Sequence, residues 1–377
     1  MTKKTRTIIF TICFVLFAIC GPSIILYSQG YRINLDAQEG EKIITSTGGI
    51  YVKALPKQAN VYLNNKLIEK TDFIFGSILI ENLIPGKYKV EITKEGYMPW
   101  KKMLTVKERE VTEAKSIVLF PAEIDFTLVS TSTEAIWATP DQEVIIKKET
   151  ANGWVLNLYS PELGAEKNLL KEKDIYSKGV EFKGLTFATS SEAILETRIL
   201  DKERYFKFSL DDVGGTIENI EKPMEEPQEY VFGNYTFKYE DKALSVKKSE
   251  SAEFNEIASA VEGIRFSDDK KKLLYFTQHE VSIFFLESMI TPRKDAGEVM
   301  TLATSQDEIT NSLWINSDYL VISTENGITI NELDTRDIPQ TIILAETKNP
   351  EIVWNNSVNK LYYANEEGLF ASDRLLP

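Results

Sequence analysis

The chain has 377 residues and a mass of 42.9 kDa, with 43% hydrophobic and 27% charged residues. It is therefore long enough to form two or three packed domains, and it is neither disordered nor collagenous. It contains 43 lysines and arginines and 57 aspartates and glutamates. The resulting net charge of −14 disfavours a general nucleic-acid binder. A single histidine excludes catalytic schemes that need two histidines, and most histidine-based metal sites.

The amino terminus has the pattern of a membrane anchor. Three basic residues precede an uncharged run whose apolar part covers residues 7–27. About 20 residues are enough to cross a ~30 Å hydrocarbon core as a helix. We therefore predict a cytoplasmic tail at residues 1–6 and a transmembrane helix at residues 7–27, in which Pro22 bends the helix without ending it.

A cleaved signal peptide is the alternative interpretation of this segment. Signal peptides usually end their apolar core after about 7 to 15 residues, next to small residues. Here Ile24, Ile25 and Leu26 continue the apolar run, and no Ala-x-Ala motif follows. These features favour a retained anchor.

The distribution of charges and cysteines predicts which side of the membrane the chain occupies. Because the basic residues precede the span, the positive-inside rule places everything after Tyr31 outside the cytoplasm. That part is acidic, so we expect anionic lipid headgroups to repel it. The two cysteines, Cys13 and Cys20, lie within the span, so no disulfide is predicted outside it. This usage fits a prokaryotic cell-envelope protein.

After a linker at residues 28–47, residues 48–121 have the pattern of a small β domain. Apolar and polar side chains alternate along Lys87–Thr93, which predicts a strand with one buried face. Asn64-Asn65 suits a two-residue hairpin turn, and Pro85-Gly86 marks another turn. We predict a compact antiparallel β-sandwich.

Four segments of this domain resemble a PEGA domain. They are Leu55–Asn65 (LPKQANVYLNN), Asn82–Val90 (NLIPGKYKV), Lys94–Tyr97 (KEGY) and Ile117–Pro121 (IVLFP). The Pro-Glu-Gly-Ala element reads Pro56-Lys57-Gln58-Ala59, and Thr71-Asp72 stands where Thr-Pro is expected. The resemblance implies a non-catalytic surface module of bacteria or archaea, in which the matched residues are structural.

Residues 122–377 repeat a pattern of an aromatic residue, a polar turn and an apolar strand. The aromatic residues are Trp137, Phe187, Phe232, Phe266, Trp314 and Trp354. Their intervals of 34 to 50 residues average about 43, near the ~40–45 residues of a four-stranded propeller blade. We predict an all-β fold in which these residues form a β-propeller of about six blades, which resembles WD40-like propellers of the TolB type. Five or seven blades, or an irregular array of sheets, remain alternatives.

Local signals within the repeats predict individual elements. Asn152-Gly153 and Asn326-Gly327 each precede an apolar run and predict hairpins. Ser251–Val261 has the pattern of one short helix.

The predicted propeller needs an additional strand to close. Its last unit is one strand short, and Ile124–Val129 is a suitable strand to complete it. We therefore expect Phe126 and Leu128 to pack near Leu361 and Phe370.

Few residues have the spacing of a catalytic motif. His279 lies beside a tight turn, where a hydrogen-bonded structural role is commoner than catalysis. Ser245 with Lys248, and Ser267 with Lys270, match Ser-x-x-Lys, but the Lys-Thr-Gly and Ser-Asp-Asn elements that accompany this motif in enzymes are missing.

One run of acidic residues raises the question of a calcium-binding site. Glu218–Glu229 contains Glu221, Glu225 and Glu226 but lacks the spacing of a calcium loop, so a solvated loop between blades is the better interpretation. No catalytic, cofactor-binding or metal-binding residue and no cofactor is predicted. Paired carboxylates from different blades stay possible for glycan hydrolysis.

These observations together predict a single-pass membrane protein with its carboxy-terminal domains outside the cytoplasm. We expect a non-catalytic binding or scaffolding role toward envelope proteins or cell-wall glycan, with no nucleic-acid partner and an undefined oligomeric state. A glycan hydrolase or lyase that uses propeller carboxylates, or the sensing subunit of a signalling complex, are the alternatives. Acidic side chains that converge at one end of the propeller axis would favour the enzyme, and a broad aromatic patch would favour protein binding.

Overall fold

The computed structural model describes most of the chain. The described ranges are residues 3–33, 44–176, 179–211, 216–223, 228–251, 253–290 and 292–377. The chain divides into two compact units. The first unit comprises residues 1–122 with 336–338, and the second comprises residues 123–335 with 339–377.

Helix α1, Lys3–Ser28, opens the first unit. Within the described residues it is the one helix long and apolar enough to cross a membrane. At 1.5 Å per residue its 26 residues extend about 39 Å, which exceeds a ~30 Å hydrocarbon core. The helix continues for six residues beyond Pro22, which confirms that this proline does not end it.

The end of α1 is tied to the β-strands that follow. Strand β1, Tyr31–Ile33, pairs antiparallel with β2, Ile44–Ser46. The Arg32 guanidinium donates to the Tyr27 carbonyl and to Asn82 Oδ1, at 2.9 and 2.8 Å. The predicted linker therefore contains two short strands, and its residues 34–43 lie outside the described part of the chain.

Two further sheets form a sandwich in the first unit. The three-stranded sheet has the order β6-β3-β9 and consists of β3 (Gly48–Leu55), β6 (Ser77–Leu83) and β9 (Val111–Val118). The four-stranded sheet has the order β5-β4-β7-β8 and consists of β4 (Asn60–Leu63), β5 (Lys66–Lys70), β7 (Gly86–Thr93) and β8 (Trp100–Val106). Both sheets contribute to one buried core, which includes Ile50, Val52, Val61, Val90, Ile92, Trp100 and Leu104.

The sandwich confirms the predicted alternation and corrects the predicted pairing. Val90 and Ile92 on β7 are buried, and Asn64 and Asn65 have φ values of 48° and 64° in the β4–β5 turn. The prediction of a purely antiparallel sandwich is wrong, because β3 and β9 pair in parallel. No hairpin joins these two strands, since the chain passes through the other sheet between them, so nothing forces them to be antiparallel.

In its described residues the second unit contains six four-stranded antiparallel sheets and one small two-stranded hairpin. Sheet 1 contains β11 (Thr133–Ala138), β12 (Val144–Thr150), β13 (Gly153–Ser160) and β14 (Ala165–Lys171). The short helix α2, Glu172–Ile175, follows it. Sheet 2 contains β15 (Val180–Phe187), β16 (Glu192–Ile199), β17 (Lys202–Ser209) and β18 (Glu218–Ile220). Sheet 3 contains β19 (Gln228–Phe232), β20 (Tyr235–Glu240), β21 (Ala243–Lys248) and β22 (Asn255–Ala258).

The remaining sheets have the same order of strands. Sheet 4 contains β23 (Gly263–Phe266), β24 (Lys272–Phe276), β25 (Glu280–Phe285) and β28 (Val299–Thr304), with a small hairpin of β26 (Met289–Ile290) and β27 (Arg293–Lys294) before its last strand. Sheet 5 contains β29 (Ile309–Asn316), β30 (Tyr319–Thr324), β31 (Gly327–Glu332) and β32 (Thr341–Ala345). Sheet 6 contains β33 (Glu351–Asn355), β34 (Lys360–Asn365), β35 (Gly368–Ser372) and β10 (Phe126–Thr131).

Sheet 6 joins the two ends of the second unit. Its outer strand β10 pairs antiparallel with β35, with Leu128 opposite Phe370, and the Phe126 ring centroid lies 5.0 Å from that of Tyr363. The prediction that residues 124–129 complete the last unit is therefore confirmed. Leu361 lies on β34, which β35 separates from β10. Sheets 6 and 1 share a buried core that includes Ile136, Val144, Ile146, Val353, Tyr362 and Leu369.

One local prediction in the second unit is wrong, and another is wrong in its bounds. Ser251–Val261 does not form the predicted helix in its described residues, because β22 pairs with β21 as the fourth strand of sheet 3. The run Glu218–Glu229 is not a single loop, since it begins in β18 and ends in β19. Glu225 and Glu226 lie outside the described residues. The hairpins at Asn152-Gly153 and Asn326-Gly327 are confirmed.

Candidate binding cavity lined by the first strands of the sheets

The repeated aromatic residues occupy equivalent positions in the six sheets. Each lies in the first strand of its sheet, close to the point where that strand ends. They are Trp137 in β11, Phe187 in β15, Phe232 in β19, Phe266 in β23, Trp314 in β29 and Trp354 in β33. The pattern recognised in the sequence therefore marks one structural position.

Five of these six aromatic residues line a single cavity of about 460 Å³. The polar residues that line it are Arg265, Asp268, Asn311 and Asn356. Phe232 does not line the cavity, but its ring centroid lies 3.9 Å from that of Phe266, which does. The volume falls within the ~300–1,000 Å³ typical of small-molecule sites.

Hydrogen bonds hold the aromatic walls in place. Trp314 Nε1 donates to the Arg265 carbonyl oxygen at 3.0 Å, and Trp354 Nε1 donates to Asn356 Oδ1. The Trp137 ring packs against Phe182, with centroids 5.5 Å apart. Trp314 and Trp354 are buried, whereas Trp137 is half-buried, as is Phe187. The cavity walls therefore combine fixed indoles with partly accessible rings.

Arg265 is the cation of this cavity. Its Nη2 donates to Asn311 Oδ1 at 3.2 Å, and that oxygen also accepts the Ser312 backbone N–H at 2.9 Å. In the described part of the chain the guanidinium has no carboxylate within ion-pair distance. The Arg265 side chain is exposed, yet nearby protein atoms desolvate its guanidinium and lower its pKa, although a guanidinium stays charged at neutral pH.

A second cavity of about 490 Å³ shares part of its lining with the first, including Trp137 and Asn311. It adds Glu351, whose Oε2 accepts the Ile136 backbone N–H at 2.9 Å. Glu351 is exposed as a residue, yet desolvation of its carboxyl by nearby protein atoms raises its pKa above its usual range. Asp268 is the acidic residue of the first cavity, so among the described residues neither cavity has a pair of carboxylates.

The residues considered for catalysis lie elsewhere. His279 is exposed in the turn between β24 and β25, where its carbonyl accepts the Ser305 N–H at 3.0 Å. Ser267 Oγ accepts the Lys272 N–H at 3.0 Å and donates to Asp269 Oδ1 at 2.6 Å, so this serine holds a turn.

The other candidates do not form a site either. Ser245 and Lys248 lie on β21, which does not line the cavities. Glu221 is exposed after β18. The described residues contain no group of three potential metal ligands.

The two units differ in net charge, although the chain as a whole is acidic. Residues 48–121 contain twelve basic and eight acidic residues, whereas residues 122–377 contain 26 basic and 46 acidic residues. The PEGA-like segment is therefore net positive. Repulsion from anionic lipid headgroups is therefore expected for residues 122–377 and not for the PEGA-like segment.

The sequence patterns located the aromatic positions but not the site they form. Arg265 and Asn311 were not identified because they are separated by 46 residues and belong to different sheets. The signal that could have found Arg265 is its place next to the repeated aromatic residue Phe266, at the end of a first strand.

Comparison with known proteins extends the resemblance of the first unit. The PEGA domain model matches residues 47–118. No curated protein matches the chain.

Several solved structures share a general similarity with the chain. One is a gluconolactonase from Xanthomonas campestris, at 11% identity and a TM-score of 0.40 over 68% of this chain and 91% of the other. A luciferin-regenerating enzyme has 10% identity and a TM-score of 0.39, over 67% and 95%. YCF48 from Cyanidioschyzon merolae has 9% identity and a TM-score of 0.38, over 66% and 98%. These values are too low to bear on the fold or function of this chain.

Proposed function

We propose that this protein is a membrane-anchored, extracytoplasmic binding protein whose second unit is a six-bladed propeller that binds cell-wall glycan. In this proposal residues 7–27 span the membrane with the amino terminus in the cytoplasm, and the PEGA-like sandwich acts as a spacer. The ligand occupies the cavity lined by the first strands of the sheets. The protein binds this ligand without turning it over.

The observation that carries the proposal is the set of five equivalent aromatic residues around one concave cavity. Aromatic faces pack well against the C–H faces of a sugar ring, and the neighbouring amides can bond its hydroxyl groups. A protein partner needs a larger surface, about 800 Å² on each side of a standard interface. The concave shape therefore favours a ring-bearing ligand over a flat protein surface.

The distribution of carboxylates supports binding over hydrolysis. Glycosidases commonly use two carboxyl groups that flank the scissile bond, about 5–9.5 Å apart. In the described residues, Asp268 lines the first cavity and Glu351 the second, each without a second carboxylate. Neither cavity by itself presents the two acids that the enzymatic alternative requires, which supports binding.

Titration of the full chain in lipid nanodiscs with soluble peptidoglycan fragments tests the proposal. We expect saturable binding, measured by calorimetry and by tryptophan fluorescence, because Trp137, Trp314 and Trp354 line the cavity. Phe187→Leu and Trp137→Leu remove a ring but keep an apolar side chain. Each should weaken binding by about tenfold, as expected when about 1.4 kcal/mol of ring contact is lost.

Phe73→Leu is the matched control, because Phe73 is 70% exposed and does not line the cavity. It should bind like the wild type. Steady release of new reducing ends from the fragments would instead favour the enzyme. Absence of binding at millimolar fragment concentration would contradict the proposal.

A further inference from the structure

We propose that Arg265 makes the cavity selective for acidic sugars, by binding a carboxylate of the ligand while the aromatic walls contact its ring. The inference rests on the proposed function, because it assumes that the cavity holds a sugar. It adds the chemical class of that sugar and the residue that selects it.

The first observation is that Arg265 has no carboxylate within ion-pair distance among the described residues, although its unit is rich in carboxylates. Its side chain is exposed where it lines the cavity, and its side-chain partner in the described part of the chain is Asn311. By contrast, two buried lysines of the same unit have carboxylate partners. Lys147 Nζ donates to Glu149 at 2.9 Å, and Lys272 Nζ lies 3.4 Å from Asp269. The remaining guanidinium donors of Arg265 are therefore accessible to an anion that enters the cavity.

The second observation is that the guanidinium is hydrogen-bonded to an amide that is itself anchored. Asn311 Oδ1 accepts from both Arg265 Nη2 and the Ser312 backbone N–H, so the amide is anchored on β29. A guanidinium has five N–H donors in a planar fork, and one bond to Asn311 leaves others for a carboxylate. Two parallel hydrogen bonds to a carboxylate match this geometry better than they match a neutral hydroxyl group.

The lining around Arg265 favours an acidic sugar over a small inorganic anion. Phe266 and Phe187 each add a half-buried ring to the cavity wall. A sulfate or phosphate ion would leave these rings without contact, whereas a sugar ring covers them. Asp268 also lines the cavity, and its carboxylate can accept hydrogen bonds from sugar hydroxyl groups.

N-acetylmuramic acid and N-acetylglucosamine provide a matched pair of probes, because they differ by a lactyl ether that carries a carboxylate. With the full chain in nanodiscs, we expect the wild type to bind the acid at least about tenfold more tightly than the neutral sugar, as for a charge-assisted hydrogen bond. Arg265→Gln should abolish this preference, so that the acid and the neutral sugar bind with similar affinity. Arg265→Lys should restore part of it, since a lysine keeps the charge but not the fork.

Arg198→Gln is the matched control, because it removes a cation of the same unit that is paired with Glu181 and does not line the cavity. It should keep the preference of the wild type. Added sodium chloride gives a second measurement. It should weaken acid binding to the wild type more than acid binding to Arg265→Gln, because salt screens the ionic contact. Thermal unfolding of each variant verifies that it is folded.

The outcomes separate this inference from the proposed function. If the wild type binds both sugars equally and Arg265→Gln changes neither affinity, the selectivity is overturned and the binding cavity stands. If the wild type binds neither sugar, the acidic-sugar inference fails. The titration with peptidoglycan fragments then decides separately whether the proposed function fails as well.

Discussion

Asp72 is a single carboxylate that organises an exposed apolar loop in the first unit. Its Oδ1 accepts the backbone N–H groups of Ile74 and Phe75 at 2.8 and 2.6 Å, and its Oδ2 accepts the N–H of Ser77 at 2.8 Å. These hydrogen bonds, the one from Phe75 foremost, hold the pKa of Asp72 well below its usual range. Phe73, Ile74 and Phe75 remain exposed, so the loop keeps its shape through the carboxylate rather than through burial.

The Asp72 bonds predict a pH-dependent contribution to stability. Because the folded-state pKa lies below the unfolded value of about 3.9, the stabilisation is present above pH ~4 and is lost as the pH falls further. Asp72→Asn should therefore lower the melting temperature at pH 7, and the difference from wild type should shrink below pH 4. Thermal unfolding followed by circular dichroism measures this. Glu95→Gln, an exposed carboxylate of the same unit, should show no such pH dependence.

Trp154 links sheets 1 and 2 by one buried hydrogen bond. Its Nε1 donates to the Val180 carbonyl at 2.7 Å, and the indole is 3% exposed. Trp154→Phe should lower the free energy of unfolding by about 1–3 kcal/mol, because a buried hydrogen bond to the Val180 carbonyl is lost. Urea denaturation measures the loss. Tyr176→Phe, which removes the hydroxyl of a more exposed ring, should change the free energy by less than about 0.5 kcal/mol. Equal losses in both variants would contradict the argument.

At the scale of elements, the contact between β10 and β35 depends on the absence of a side chain at Gly368. This residue has a φ of +151°, and a Cβ atom there would lie 2.3 Å from the Ser130 carbonyl oxygen on β10. Because real Cβ atoms do not approach so closely, one strand must move to admit a methyl group. A single added Cβ atom at this position would therefore disturb the pairing of β10 with β35.

Gly368→Ala should therefore weaken the second unit. We expect the free energy of unfolding to fall by about 1–3 kcal/mol, which is typical of overpacking. Gly184→Ala is the control, because Gly184 lies in strand β15 with its nearest atom 3.8 Å from the added Cβ. It should change the stability by less than about 1 kcal/mol. A Gly368→Ala variant as stable as wild type in urea would show that β10 does not limit the stability of this unit.

Strand β22 shows how the assembled sheet overrides a local pattern. The sequence around residues 251–261 favours a short helix, yet Asn255–Ala258 pairs with β21. Sheet 3 gains a fourth strand from this segment, and the interstrand hydrogen bonds outweigh a weak helical preference. A local prediction fails here because the deciding partner lies in another strand.

At the scale of the whole molecule, α1 and the two cysteines allow the proposed topology to be tested. Leu163→Cys introduces a thiol at a position that is 80% exposed in the second unit. A membrane-impermeant maleimide applied to intact cells should label this cysteine, whereas Cys13 and Cys20 within the proposed span should stay unlabelled. Labelling of Leu163→Cys only after permeabilisation would place the second unit inside the cytoplasm.

The intact mass of the membrane-extracted protein distinguishes an anchor from a signal peptide. An anchor predicts that the peptide containing Lys3, Lys4 and Arg6 is retained, and that the protein stays in the membrane fraction after alkaline extraction. A mass that lacks the apolar segment would contradict the anchor. The excess of acidic over basic residues lies in residues 122–377 alone. Repulsion of this part from anionic lipid therefore does not distinguish a retained anchor from a cleaved signal peptide.

Periodic and local features were accessible from the amino-acid sequence. The uncharged apolar run predicted helix α1, turn residues and alternation predicted the PEGA-like strands, and the aromatic spacing predicted six units. Each of these features depends on neighbours along the chain, so its physical cause is present in a short window. The parallel pairing of β3 with β9 and the meeting of Arg265 with Asn311 have no such local cause. They follow from how strands distant in sequence assemble, and the cavity that brings five aromatic residues together exists only once the sheets have packed.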